Sequence, residues 1–444
     1  MPSDPHPHGH APAPDVVPPE VIPAQGTHND GARHSGTHRT GHHQARSVAA
    51  HLSAVMDLLA PLSVAGRTEQ VALWEALGRG LAADVMAPVS LPPFANSQMD
   101  GFAVKSAVIP DGGANLRVAA PVPAGAMPAP LERGTAAPIM TGAAIPAGAD
   151  AVVPVERAVP DRFPDPGTDS TVWLPATAAG TFVRSVGSDL AAGEQALAAG
   201  TFLGPAQLGL LAGLGLADVT VYKALTVLLV TTGDEVVEPG QDLPAGKIYN
   251  SNGTLLESAM RQAGLTVVRT RIATDSPGEL QALLSSHAPS VDLIVTTGGV
   301  SMGAYEVVRQ VLEGHGADFL HVAMQPGGPQ GIGTFEGVPF LGFPGNPVSC
   351  LVSFEMFLRP VLSGLFGSPA PRTPVRARLA HGLSSPAHKH QVRRGSLQPD
   401  GTVRLEGGES SHLMHALAGS NALVHVPVGV SALAEGDEVE VWML

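Results

Sequence analysis

Between residues 223 and 367 the chain repeatedly passes from a short apolar, β-branched run through a glycine-rich or polar bend into an amphipathic stretch. No other feature constrains the fold as strongly, because repeated strand–helix alternation leaves a parallel-rich sheet with right-handed crossovers as the economical solution. "LTVLLVTTGDE" reads as strand then loop, and "NSNGTLLESAMRQAG" as a helix capped near Asn250 to Asn252 and stopped by Gly264. "LTVVRTRIATD" is a strand ending at Asp275, and "SPGELQALLSS" opens with Ser276 facing Glu279 as a capping box, with Pro277 at the first helical position. "DLIVTTGGVSMGAYEVVRQVL" and "VPFLGFPGNPVSCLVSFEMFLRPVL" each give a further strand, loop and helix.

Ligands of such sheets sit beyond the carboxyl ends of the strands. Those ends carry Thr232-Gly233-Asp234-Glu235, Asp275, Gly298-Gly299-Val300-Ser301 and Phe343-Pro344-Gly345-Asn346-Pro347. Glycines allow close backbone approach, and helix N-termini favour anions, so the loops suit a phosphorylated ligand. Carboxylates beside phosphate repel it unless a cation intervenes, and Mg²⁺ held by oxygens is the simplest such cation. Asp275 taken alone would only end a strand and cap the next helix.

The flanking sequence divides further. Residues 1–46 are rich in Pro, Gly and His with almost nothing to bury, and disorder is expected there. Their histidines could bind transition metals, although a solvated tail that chelates metal only incidentally is the favoured reading. Residues 47–62 and 75–88 read as helices, and the stretch 47–95 with 190–222 is expected to form an elongated linker domain. Residues 96–189 have short β-like runs punctuated by Pro and Gly, as in an inserted β-rich domain; 223–367 form the α/β domain, and 370–444 read as a small C-terminal β-barrel or sandwich.

A formal charge of −14 argues against nucleic acid or an anionic membrane as the main partner. The single cysteine, Cys350, excludes a disulfide framework and fits a reducing compartment; beside Leu351 and Val352 it reads as packing. No apolar run approaching transmembrane length is read, and the expectation is a cytoplasmic protein. His388, His390, Arg393 and Arg394 read as a basic, solvated barrel strand.

Five ordered motifs, "SQMDGFAV", "IMTGAAIPAGADAVVPVE", "TTGDE", "GGVSMG" and "GFPGNPVS", closely resemble the molybdopterin molybdenumtransferase family, whose animal relatives include the E domain of gephyrin. The resemblance covers about residues 47 to 444. It implies a multidomain α/β plus β fold: a molybdopterin-binding α/β domain, an inserted β-rich domain and a small C-terminal β-barrel. It implies insertion of molybdate into adenylylated molybdopterin with Mg²⁺-dependent release of AMP, by a homodimer whose active site is shared between subunits. The molybdopterin adenylyltransferase is a further expected partner. By the same resemblance Asp100, Thr141, Asp189, Glu235, Asp275 and Glu306 match functional positions, with Glu235 and Asp275 near Mg²⁺. Gly233, Asp234, Gly298, Gly299, Ser301, Gly303 and Arg309 match one side of the ligand pocket, and Pro344, Gly345, Asn346 and Pro347 a second loop.

This sequence also departs from the family's pattern. Ala304, Glu306 and Arg309 stand where the family often has Asp, Asp and Lys, and His321, Gln325 and Gly328 occupy a stretch where lysines are common. A non-catalytic molybdopterin or cofactor carrier is therefore the competing expectation. The adenylyltransferase activity is a third, which explains neither the β-rich insertion nor the barrel.

Overall fold

The computed structural model describes residues 45–63, 67–165, 170–271, 276–300 and 306–444. The His-rich N-terminal stretch, Asp275, Ser301 and Gly303 thus lie outside the described residues.

The α/β domain is built on a six-stranded sheet in the spatial order Thr266–Arg271, Thr226–Thr231, Leu293–Thr297, Val338–Phe343, Pro329–Phe335, Ala317–His321. The first four run parallel, and Pro329–Phe335 pairs antiparallel both with Val338–Phe343 and with Ala317–His321. Leu293–Thr297 is buried at every position, as a strand covered on both faces must be. The apolar sides are shared between two cores. One joins Val227, Leu229 and Val295 to Leu256, Met260 and Phe357, and the other joins Leu228, Val230 and Ile294 to Leu280, Val308 and Phe340.

Helix Ser251–Gln262 begins at Asn250, whose side chain accepts from the Gly253 N–H at 2.9 Å, and Gly264 follows its end at φ +83°. Helix Pro277–His287 has Ser276 as its N-cap, but the Ser276 side chain makes no cap hydrogen bond, so the expected capping box is not formed. The stretch Pro347–Phe366 is one 20-residue helical run, apolar enough by composition to cross a membrane. It corrects the expectation that no such run exists. It lies in the α/β core, and Glu355 within it is ion-paired to Arg372 at 2.7 Å, so packing against the sheet accounts for its apolarity.

Helix Val48–Leu59, grouped by sequence with the linker domain, buries His51, Val55 and Leu59 against this same core. The second expected helix, 75–88, does not form. Leu73–Glu75 is a short 3₁₀ turn, Gly78 takes φ +78°, and Val85–Met86 pairs with Gln195–Leu197. A side chain at Gly80 would place its Cβ 1.7 Å from the Phe366 carbonyl oxygen, so close backbone approach replaces helical winding. Thr68–Ala72 pairs antiparallel with Asp218–Tyr222, bringing the two linker stretches together across the insertion.

Within the insertion, five strands are ordered Ala151–Pro154, Gly101–Val104, Thr135–Ile139, Ala114–Val118, Thr171–Leu174. The C-terminal region is a closed five-strand barrel: His390–Leu397 pairs with both Thr402–Leu405 and Ala422–Val426, and Pro374–Leu379 and Glu438–Met443 complete the ring. Met324–Gln325 of the α/β domain adds to this barrel by pairing with His390–Gln391. Arg394 corrects the solvated-strand expectation: it is 3% exposed and donates to the Ser410 carbonyl at 3.1 Å.

Candidate functional site

A cavity of about 590 Å³ opens at the carboxyl ends of the parallel strands. Thr231 and Thr232 reach it from one strand end, Thr297 to Gly299 from the next, and Gly345 to Pro347 from the loop after Phe343. Glu235, Glu306, Val236, Val307, Ile248, Tyr249 and Asn250 to Asn252 complete most of its wall.

The loop backbones explain the residue choices. Gly233 has φ +130°, and a Cβ there would lie 2.7 Å from Oε2 of Glu235, so the bend lets that carboxylate fold over it. Gly299 has φ +69°, and a Cβ would meet Cγ2 of Val308 at 2.7 Å. The Gly298 N–H donates to the Phe343 carbonyl at 3.1 Å, and the Arg309 N–H to the Gly299 carbonyl at 3.2 Å.

Asn252 ties the two sides together. Its amide donates to Oγ1 of Thr297 at 3.0 Å and to the Gly345 carbonyl at 2.6 Å. Behind this layer, Oγ1 of Thr297 donates to the Pro344 carbonyl at 3.1 Å, and Sγ of Cys350 donates to the same carbonyl at 2.7 Å. Burial pushes the Cys350 thiol up to about 12, so it is a packed donor and not a nucleophile.

Two helices point their N-termini into the cavity, since Asn250 and Ser251 open one and Asn346 and Pro347 the other. Their aligned dipoles favour an anion, although Pro347 has no N–H and the N–H groups of Val348 and Gly253 are already bonded, to the Ser411 carbonyl and the Asn250 side chain. Of the sequence-predicted residues, Gly233, Glu235, Gly298, Gly299, Glu306, Gly345, Asn346 and Pro347 come together here. Asp234 and Pro344 do not line the cavity; their carbonyls accept from Lys247 Nζ and from Thr297 respectively. Arg309 is also absent from the wall: Glu313 engages its guanidinium at 3.1 Å, and it covers the Phe319 ring.

Asp100, Thr141 and Asp189 lie in the inserted domain and line no part of this cavity. Oδ1 of Asp100 accepts from both the backbone N–H and the hydroxyl of Thr141, each at 2.7 Å, and these bonds hold its carboxyl below the usual range. Asp189 is exposed. Sequence reasoning passed over Thr231, Asn252, Thr297, Tyr249 and His412. Asn252 carried a signal, an amide side chain in the first turn of a helix entering a strand-end cleft; His412 carried none, being far along the chain.

A cleft at the carboxyl ends of parallel strands, floored by glycine bends and two helix N-termini, defines an α/β protein that binds a small anionic ligand. Comparison with known proteins makes this specific. The chain matches the MoeA N-terminal region (domain I and II) over residues 46–215, the probable molybdopterin binding domain over 228–364 and the MoeA C-terminal region (domain IV) over 376–444. It is 43% identical over 413 residues to molybdopterin molybdenumtransferase 2 of Mycobacterium tuberculosis, covering 90% of this chain and 100% of that one. It is 34% identical to the molybdopterin molybdenumtransferase of a Nostoc species, covering 90% and 94%. The crystal structure of the molybdopterin biosynthesis MoeA protein from Pyrococcus horikoshii superposes with a TM-score of 0.71 at 29% identity, covering 90% of this chain and 99% of that chain. The chain therefore belongs to the molybdopterin molybdenumtransferase family, the MoeA family of molybdenum cofactor biosynthesis.

Proposed function

We propose that this chain inserts molybdate into adenylylated molybdopterin and releases AMP. The observation that carries the reading is the cavity itself, where glycine bends and two helix N-termini face Glu235 and Glu306. Backbone N–H groups neutralise phosphate oxygens without side-chain bulk, which leaves room for the pterin. Val236, Ile248, Tyr249 and Val307 add apolar surface to the cavity wall, which suits a flat ring. The reacting sulfurs belong to the ligand's dithiolene, whose softness suits molybdenum, so the buried Cys350 has no part in the chemistry.

Mg²⁺ fits the donor set. Among the described residues no group of three or more His, Cys, Asp or Glu gathers, and Glu235 lines the cavity. A hard cation held by one or two carboxylates and otherwise by phosphate and water matches that sparse arrangement. Glu235 and Asp275 would hold it, and when bound it would neutralise charge on the pyrophosphate oxygens. Asp100, held ionised by Thr141, and Asp189 would complete the cavity of the other subunit in a homodimer.

A carrier role is the second reading, and one observation favours it: neither Lys nor Arg lines the cavity among the described residues. Molybdate- and Mg²⁺-dependent AMP release from adenylylated molybdopterin separates the two. Release by the full chain, lost in Glu235→Ala and Asp275→Ala, supports the transferase; tight binding without release leaves the carrier.

A further inference from the structure

Glu235, Val236, Ile248, Tyr249 and Asn250 reach the cavity from one stretch, between the strand Thr226–Thr231 and the helix Ser251–Gln262. Within it Val236–Val237 and Ile248–Tyr249 pair in parallel as a two-stranded ribbon. The Ile248 N–H donates to the Glu235 carbonyl and the Asn250 N–H to the Val237 carbonyl, each at 2.8 Å. The connecting residues 239–246 are exposed throughout, so packing does little to hold the ribbon there and its base carries the restraint.

At that base Glu238 and Asn250, the residues after the two ribbon strands, meet. Asn250 is 2% exposed, and its amide donates to Oε1 of Glu238 at 2.6 Å and to Oγ1 of Thr231 at 2.9 Å. With the amide so turned, its oxygen faces the Gly253 N–H and caps the helix at 2.9 Å. The other carboxylate oxygen of Glu238 accepts from Arg269, on the edge strand Thr266–Arg271. Arg269 also donates to Glu257 at 3.1 Å and to Thr254 at 3.3 Å, both on the helix. A Cβ at Gly253 would lie 2.9 Å from the Asn250 amide nitrogen and 3.1 Å from Nε of Arg269, so the helix is bare where the network crosses it. Edge strand, ribbon and helix thus share one set of polar contacts.

We propose that Glu238, which does not itself line the cavity, is a positioning residue for it: by fixing the Asn250 amide it sets the ribbon that carries Glu235 against the helix N-terminus, with Arg269 as its anchor. Toward the ligand, the inference rests on the proposed function. It accounts for Asn at position 250. Asp caps a helix as well as Asn does and complements the dipole better, but a second carboxylate beside Glu238 would have no N–H to donate and would repel it.

The test is hydrogen–deuterium exchange of the full chain, read over residues 234–250, in Glu238→Ala, Asn250→Asp and the double variant Asn250→Asp with Glu238→Gln. Glu238→Ala and Asn250→Asp are each expected to speed exchange of the ribbon amides about 10-fold, and the double variant to return it to within about 3-fold of the starting chain, because the Gln amide can donate to the new carboxylate. In calorimetric titration, Glu238→Ala should also weaken AMP binding roughly 10-fold. Unchanged exchange in Asn250→Asp overturns the proposal, since capping alone predicts that result, and so does failure of Glu238→Gln to restore it. An equal rise in helix Pro277–His287, which packs in the other core, would mean general loosening and overturn it too. Faster ribbon exchange with unchanged AMP affinity in Glu238→Ala would remove the role toward the ligand. If the unsubstituted chain binds no AMP, the proposed ligand fails, while the exchange data still decide whether Glu238 sets the ribbon.

Discussion

The Asn252 amide donates to the Gly345 carbonyl at 2.6 Å, joining the first turn of one cavity helix to the loop that opens the other. The same amide reaches Thr297 at 3.0 Å, so three strand-end loops are registered through one side chain. Asn252→Ala should remove both bonds and cost about 1–2 kcal/mol of stability, read from the denaturant midpoint at unchanged slope. AMP affinity should fall by roughly 10-fold, because the loops lose their mutual spacing before the fold is lost. An affinity equal to that of the unsubstituted chain would show that Asn252 does not set the cavity.

Much of this was legible locally. Strands such as Leu293–Thr297 announce themselves by apolar runs rich in β-branched residues, and the glycine bends sit where strand must turn into helix. The stretch 75–88 misled because its Leu and Ala spacing suits a helix, while Gly78 and Gly80 serve a backbone approach to Phe366 that only the folded chain reveals. Arg309 carries a charge suited to phosphate, yet Glu313, one helical turn away, engages it. His412 and the Arg394 clamp escaped notice for a different reason, since they depend on the barrel docking beside a helix of the preceding α/β domain, a contact without local pattern.

Asp100 and Glu235 are expected to act in one site from two chains. Each of Asp100→Ala and Glu235→Ala should abolish AMP release alone. Mixed and refolded together in equal amounts, they should recover about one quarter of the unsubstituted activity, because half the dimers would be mixed and each would hold one intact site. Absence of recovery, with mixed dimers demonstrated by mass, would mean that one chain supplies both residues to a site, or that Asp100 is not part of it.

Cys350 should be inert in the native protein. Its thiol is buried and raised to about 12, and it donates to the Pro344 carbonyl at 2.7 Å. Iodoacetamide at pH 8 should label the denaturant-unfolded chain within minutes and leave the folded chain unlabelled on that time. Cys350→Ser keeps a donor toward Pro344 and should hold AMP release within about 2-fold, whereas Cys350→Val removes it and should weaken ligand binding. Prompt labelling of folded protein would contradict the packing assigned to this thiol.

Two buried imidazoles are expected to weaken the fold as the pH falls. Burial lowers His51 to about 4, with the Arg46 charge adding to it, and His51 packs edge-on against Phe357 at 4.5 Å. Burial likewise lowers His425 to about 3, with His390 hydrogen-bonded to it at 3.0 Å. Above pH 6.5 both are neutral in either state, so stability there is indifferent to them. As pH falls below 6.5 the unfolded chain takes up protons that the folded chain refuses, and stability declines until the folded values are passed. His51 alone should contribute a loss on the order of 3 kcal/mol between pH 6.5 and 4. Urea unfolding of His51→Leu across this range should therefore show a shallower decline than the unsubstituted chain, with the two curves running parallel above pH 7. Parallel curves throughout would mean that His51 takes up its proton alike in the folded and unfolded chain and that burial does not govern it.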